Sequence, residues 1–86
     1  MEKSVVILNE MGLHAIPTVL FVKNASQFES KIFVQFNGKS SNAKSVIGLM
    51  SLEVKKGDEI KILADGEDAP EAISKLTELV KLKFGE

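Results

Sequence analysis

The dipeptide Asn37-Gly38 divides two runs of opposite character. Before it, Lys31–Phe36 alternates: Ile32, Val34 and Phe36 point one way, Phe33 and Gln35 the other. Period-two alternation is the pattern of a half-buried strand. Asn-Gly supplies the two positive-φ residues of a type I′ turn, whose twist suits a hairpin. The run after it, Lys39 to about Ala43, is short and polar. Such a strand belongs at a sheet edge, where lysine and serine discourage pairing with a second molecule. A lone hairpin is marginal in water, so this one requires further strands. Two runs provide them. Ser4–Leu8 is rich in β-branched residues, and Glu59–Ala64 places Ile60, Ile62 and Ala64 on one face after a turn at Lys56-Gly57-Asp58.

Helical spacing fills the intervals. Ala15 to Phe28 predicts a helix whose face carries Ala15, Val19, Val22 and Ala25/Ser26, with Leu20 and Phe28 beside it. Pro17 falls in its first turn, where a missing N–H is harmless. Ser45 is an N-cap candidate for a short helix running to about Leu52. Ala69–Phe84 is the most periodic stretch, with Ala72, Ile73, Leu76, Leu79, Val80 and Phe84 as its stripe. Asp68 is expected to cap it, Glu71 to complete a capping-box-like pairing, and Lys81 and Lys83 to match the helix dipole. The order β-α-β-β-α-β-α implies an α+β fold: one antiparallel sheet covered by helices on one side. With 86 residues, the chain is expected to form a single domain spanning 1–86.

Composition removes several functions. There is no cysteine, which excludes disulfides, zinc–thiolate sites and thiol nucleophiles. All 11 cations are lysines, balanced by 12 carboxylates to a net charge of −1. No basic face for direct nucleic-acid binding is expected. The apolar run in MEKSVVILNE is too short for a secretory signal, and no stretch approaches the ~20 residues of a membrane span. A cytoplasmic location without membrane insertion is the expectation. No nucleotide site or other cofactor site is visible.

His14 is the only histidine, and it follows Gly12-Leu13 as a helix begins. First-turn N–H groups have no intrahelical acceptor, and the helix dipole adds partial positive charge there. A phosphate at that point meets donors already aimed at it. Neutral imidazole is a good nucleophile near neutral pH, so His14 can carry a covalent phosphoryl group. The same position also suits a simple cap or surface histidine. A metal site would need a second His or a Cys, so no metal is expected.

The stretches Gly12-Leu13-His14-Ala15-Ile16-Pro17 and Asn42-Ala43-Lys44-Ser45-Val46-Ile47-Gly48-Leu49-Met50-Ser51-Leu52 carry a family resemblance, with Asn37-Gly38-Lys39 as a third match. The chain resembles the histidine-containing phosphocarrier protein HPr of the bacterial phosphoenolpyruvate-dependent sugar phosphotransferase system, over nearly its whole length. The resemblance implies an HPr-like open-faced β-sandwich, with a four-stranded antiparallel sheet under three helices. It implies that His14 accepts a phosphoryl group on Nδ1 from phosphorylated enzyme I and passes it to the A domain of a sugar permease. Ala15, Ile16 and Pro17 would support the phosphate. Ser45 would be the regulatory site of an ATP-dependent serine kinase/phosphorylase. Its phosphorylation would inhibit transfer at His14 and create a form bound by a catabolite-control transcription regulator. Ile47, Gly48, Leu49 and Met50 would form the docking patch.

One departure stands out. The family's active-site arginine is Ile16 here, and the chain has no arginine at all. Met11, Leu13 and Ile16 surround His14 with apolar side chains. A planar guanidinium can pair with phosphoryl oxygens; isoleucine offers no donor. Losing a charge-assisted contact worth about 1.5–3 kcal/mol slows transfer roughly ten- to a hundredfold. Three accounts fit: drift toward lower activity, a regulatory paralogue acting mainly through phosphorylated Ser45, or a match to an apolar partner surface. A retained carrier is preferred, because the resemblance implies that regulatory paralogues typically replace the histidine.

Overall fold

The structure, a computed structural model, describes residues 1–85. The elements are β1 (Glu2–Val6), α1 (Ala15–Ala25), β2 (Lys31–Phe36), β3 (Lys39–Asn42), α2 (Val46–Met50), β4 (Glu59–Asp65) and α3 (Ala69–Lys81), followed by a short 3-10 turn at Lys83–Gly85. The strands form one antiparallel sheet in the order β1-β4-β2-β3. This is the α+β architecture expected from the pattern. The hairpin turns at Asn37 and Gly38 with φ of +52° and +81°, and β3 lies at the sheet edge.

The sheet has one dry face. Val5, Ile32, Val34, Ile60, Ile62 and Ala64 point into the core, where they meet Phe21 and Ala25 of α1, Leu49 of α2, and Ala72, Leu76 and Val80 of α3. The other face carries Ser4, Gln35, Lys61 and half-open Phe33, and no helix packs on it. The strand alternation therefore decides which side the helices cover.

Four details differ from the sequence expectation. β1 runs Glu2–Val6 rather than Ser4–Leu8, because β4 begins opposite Val6. Beyond that point Ile7 pairs with the 57–58 turn: its N–H donates to the Asp58 carbonyl at 2.9 Å. α1 stops at Ala25, and its buried residues are Pro17, Thr18, Phe21 and Ala25, while Val19 is exposed. This helix is apolar on nearly every side, so spacing alone leaves its orientation open. Burying the Phe21 ring stabilises by about 1.5–3 kcal/mol and selects the face. α3 ends at Lys81, and Phe84 is reached through a left-handed turn. Finally, the Asp68 side chain accepts no bond from the first turn of α3, although its carbonyl accepts the Ala72 N–H at 2.9 Å. Its carboxylate turns to the loop before β2 instead. It accepts the Glu29 N–H at 2.8 Å, the Ser30 N–H at 3.0 Å and the Ser30 hydroxyl. The Ser30 hydroxyl first, then these N–H groups, hold the Asp68 carboxyl below the usual carboxylate range.

Candidate functional site

The loop from β1 to α1 is folded back on itself. Buried Asn9 donates from Nδ2 to the Gly12 carbonyl at 2.9 Å, and the Gly12 N–H donates to the Asn9 carbonyl at 3.2 Å. Gly12 has a φ of +61°. A Cβ there would lie 2.5 Å from the Val54 carbonyl oxygen and 2.8 Å from Lys55 Cα. Only glycine fits. The Leu13 N–H donates to the same Val54 oxygen at 3.1 Å, and the Leu13 side chain is buried. His14 therefore leaves a base fixed on both sides.

His14 is the N-cap of α1, in extended conformation with φ of −87° and ψ of −175°. Its carbonyl accepts the Thr18 N–H at 2.9 Å, the first bond of the helix. Its imidazole is exposed and makes no capping bond. The ring is thus free to react. Ala15 and Ile16 contribute first-turn N–H groups without helical acceptors. Pro17 has no N–H to leave unpaired, and its ring is buried. Its part is to fix the start of α1 rather than to bind phosphate directly. Ile16 projects outward, 84% exposed, and supplies no side-chain donor.

An apolar pocket of about 340 Å³ lies beside the ring, lined by Met11, His14, Ala15, Ile16, Pro17, Leu20 and Phe84. Phe84 arrives from the far end of the chain. Sequence reasoning placed it on the α3 stripe and missed its approach to His14. Only the left-handed turn brings it there, and no residue pattern announces two successive non-glycine residues with positive φ. Beside the loop, Lys56 Nζ meets Glu10 Oε1 at 2.6 Å. This hydrogen bond and the Lys56 charge, with a smaller contribution from Lys83, hold the Glu10 carboxyl below its ordinary range.

The second candidate region packs against the first through α1 and α2. Ser45 Oγ accepts the Gly48 N–H at 3.0 Å, the N-cap that the sequence predicts. Ile47 is 83% exposed and Met50 half-buried. Leu49 departs from the docking expectation. It is fully buried and packs into the core, because a five-residue helix lying on the sheet must bury one residue deeply. Gly48 has a packing reason of its own. A Cβ there would strike the Ser41 hydroxyl on β3. The open apolar surface near α2 is therefore Ile47, with part of Met50. Lys44, just before the α2 cap, donates from Nζ to the Phe28 carbonyl at 2.7 Å and is already engaged.

No group of three or more metal-ligating side chains comes together among the described residues, and no helix of the structure is long and apolar enough to cross a membrane. What the site can do is present a nucleophilic imidazole beside free N–H donors. The fold around it is an open-faced β-sandwich, a four-stranded antiparallel sheet under three helices.

Comparison with known proteins agrees. Residues 1–81 match the family described as PTS HPr component phosphorylation site. The structure superimposes on HPr-C-His from Thermoanaerobacter tengcongensis with a TM-score of 0.98 and 48% identity, covering 100% of this chain and 97% of that one. HPr from Bacillus anthracis gives a TM-score of 0.90 and 41% identity over 93% of this chain and 95% of that chain. The HPr-like protein Crh of Bacillus subtilis strain 168 is 44% identical over 80 residues, 93% of this chain and 94% of Crh. The chain belongs to the HPr family.

Proposed function

We propose that this protein is a phosphoryl carrier of the sugar phosphotransferase system, loaded on His14 by phosphorylated enzyme I and discharged to permease A domains in the cytoplasm. The observation that carries the reading is the exposed His14 ring at the start of α1, with no hydrogen bond to its own helix. In loading, the Nδ1 lone pair forms the new N–P bond as the bond from phosphorus to the donor group of enzyme I breaks. The bonding pair returns to that donor, which takes up the proton the imidazole releases at Nε2. Discharge is the same exchange in reverse, onto the A domain. The partners bring most of the catalytic groups. The chain brings the nucleophile, its fixed base and the helix N-terminus that receives the phosphoryl oxygens.

Ser45 is the proposed regulatory site. A phosphate at an N-cap adds about −1.5 to −2 charge where the helix dipole favours it, so the fold tolerates it. The same charge beside exposed Ile47 disfavours partners that bury this surface. A second reading, a regulator acting mainly through phosphorylated Ser45, is favoured by Ile16, which leaves the phosphoryl site without a guanidinium. Similarity to Crh supports it as well.

Incubation with enzyme I and phosphoenolpyruvate, read by intact mass, separates the two. The carrier reading expects one acid-labile phosphoryl group that vanishes in His14→Ala. No phosphoryl group from enzyme I, with an acid-stable one from a serine kinase that needs Ser45, supports the regulator instead.

A further inference from the structure

The His14 motif, Gly12 to Pro17, contains no cation of its own. A phosphoryl group on His14 carries close to two negative charges near neutral pH. Beside it stand two N–H groups and apolar side chains, with Ile16 exposed and donor-free.

The C-terminal turn supplies a candidate. Lys83 and Phe84 both have left-handed backbone, with φ of +54° and +56°. Such a conformation is uncommon outside glycine and persists only where the surroundings fix it. Here Phe84 fixes it. Its ring is buried and lines the same pocket as His14. The Gly85 N–H donates to the Leu82 carbonyl at 3.0 Å and closes the turn. Lys83 is thereby held next to the wall of the His14 pocket. Its side chain is exposed and makes no ion pair among the described residues. Its charge already reaches the His14 loop, where it helps to lower the Glu10 carboxyl.

The other lysines are placed less well. Lys56 is engaged by Glu10 and Lys44 by the Phe28 carbonyl. Lys23 sits in the last turn of α1, at the opposite end from His14. Neither Lys55 nor Lys83 lines the pocket itself, but Lys83 adjoins Phe84, which does, whereas Lys55 approaches only Gly12, and through its backbone.

We propose that Lys83 contacts the phosphoryl group on His14 and supplies the positive charge that position 16 lacks. The proposal rests on His14 being the phosphorylated residue. Lys83 neither attacks nor accepts the phosphoryl group; it stabilises the charge on its oxygens during transfer and afterwards.

The test compares wild type, Lys83→Met, Lys83→Arg, Lys55→Met and Lys75→Met. Lys75 lies on α3 beside Phe28, past the far end of α1, and controls for loss of one charge. Two quantities are read: the rate of loading from enzyme I, and the phosphorus-31 pH titration of the phosphoryl group on the loaded protein. Lys83→Met is expected to slow loading about tenfold, the effect of one exposed charge-assisted contact, and to raise the pH at which the phosphoryl group ionises. Lys83→Arg is expected to restore both, and the other two variants to match wild type. A merely structural role would leave the titration unmoved. Wild-type loading and titration in Lys83→Met, or transfer of the effect to Lys55→Met, would overturn the proposal. Failure of wild type itself to accept a phosphoryl group would overturn the His14 reading, an outcome visible before any lysine variant is measured.

Discussion

Gly12→Ala probes the base of the site with the fewest assumptions. At a φ of +61°, a side chain costs about 1–2 kcal/mol of backbone strain. The new Cβ also falls 2.5 Å from the Val54 carbonyl oxygen, far inside van der Waals contact. That oxygen is backbone, and it accepts the Leu13 N–H at 3.1 Å. Relieving the clash separates the loop from residues 54–55 and removes this bond, a further loss of about 0.5–1.5 kcal/mol. The sum is about 1.5–3.5 kcal/mol, or a fall in Tm of roughly 6–28 °C for a domain of this size. Gly38→Ala is the matched comparison. Its φ is +81°, but a Cβ there meets nothing within 4 Å, so only the backbone strain applies. Urea denaturation of both variants gives the difference directly, and loading of the folded Gly12→Ala protein by enzyme I should slow as His14 shifts. Equal stability losses in the two variants would refute the argument that close approach to residues 54–55 fixes the loop.

Other substitutions divide the site from the core. Ile16→Arg, on a side chain 84% exposed, should leave stability within about 0.5 kcal/mol and raise the rate of loading from enzyme I, measured by quenched-flow mass spectrometry. Leu49→Ala should cost about 2–5 kcal/mol in denaturant unfolding, whereas Ile47→Ala should be nearly neutral for folding and weaken partner binding, measured calorimetrically. Asp68 sets an acid limb. Its folded carboxyl titrates below the unfolded value, so its contribution is present above about pH 4 and is lost as pH falls through the folded pKa. Asp68→Asn should therefore lower Tm at neutral pH and flatten the decline of Tm in acid.

What the sequence makes legible follows from locality. The hairpin is read from Asn37-Gly38 because both positive-φ residues are adjacent in the chain. The Ser45 cap is equally local: the bond it makes reaches only to Gly48. His14 at the start of α1 is legible for the same reason. Long-range choices are not. Asp68 occupies a capping position, yet its carboxylate serves residues 29 and 30, nearly forty positions earlier. The buried face of α1 depends on what lies opposite Phe21, and an all-round apolar helix does not declare it. Leu49 and Ile47 look alike in sequence and end at opposite extremes of exposure, because α2 is too short for its spacing to distinguish them. Phe84 reaches the His14 pocket through a turn formed without the glycine that would mark it, since Gly85 comes one residue later.

The relay itself is the most direct test. The protein is loaded by enzyme I, freed of enzyme I and phosphoenolpyruvate, and mixed with a sugar-permease A domain, with both masses followed over time. A carrier loses its phosphoryl group from His14 as the A domain gains one in equal amount. Loss to water alone, or a phosphoryl group that stays on His14 with the A domain unchanged, would contradict the account.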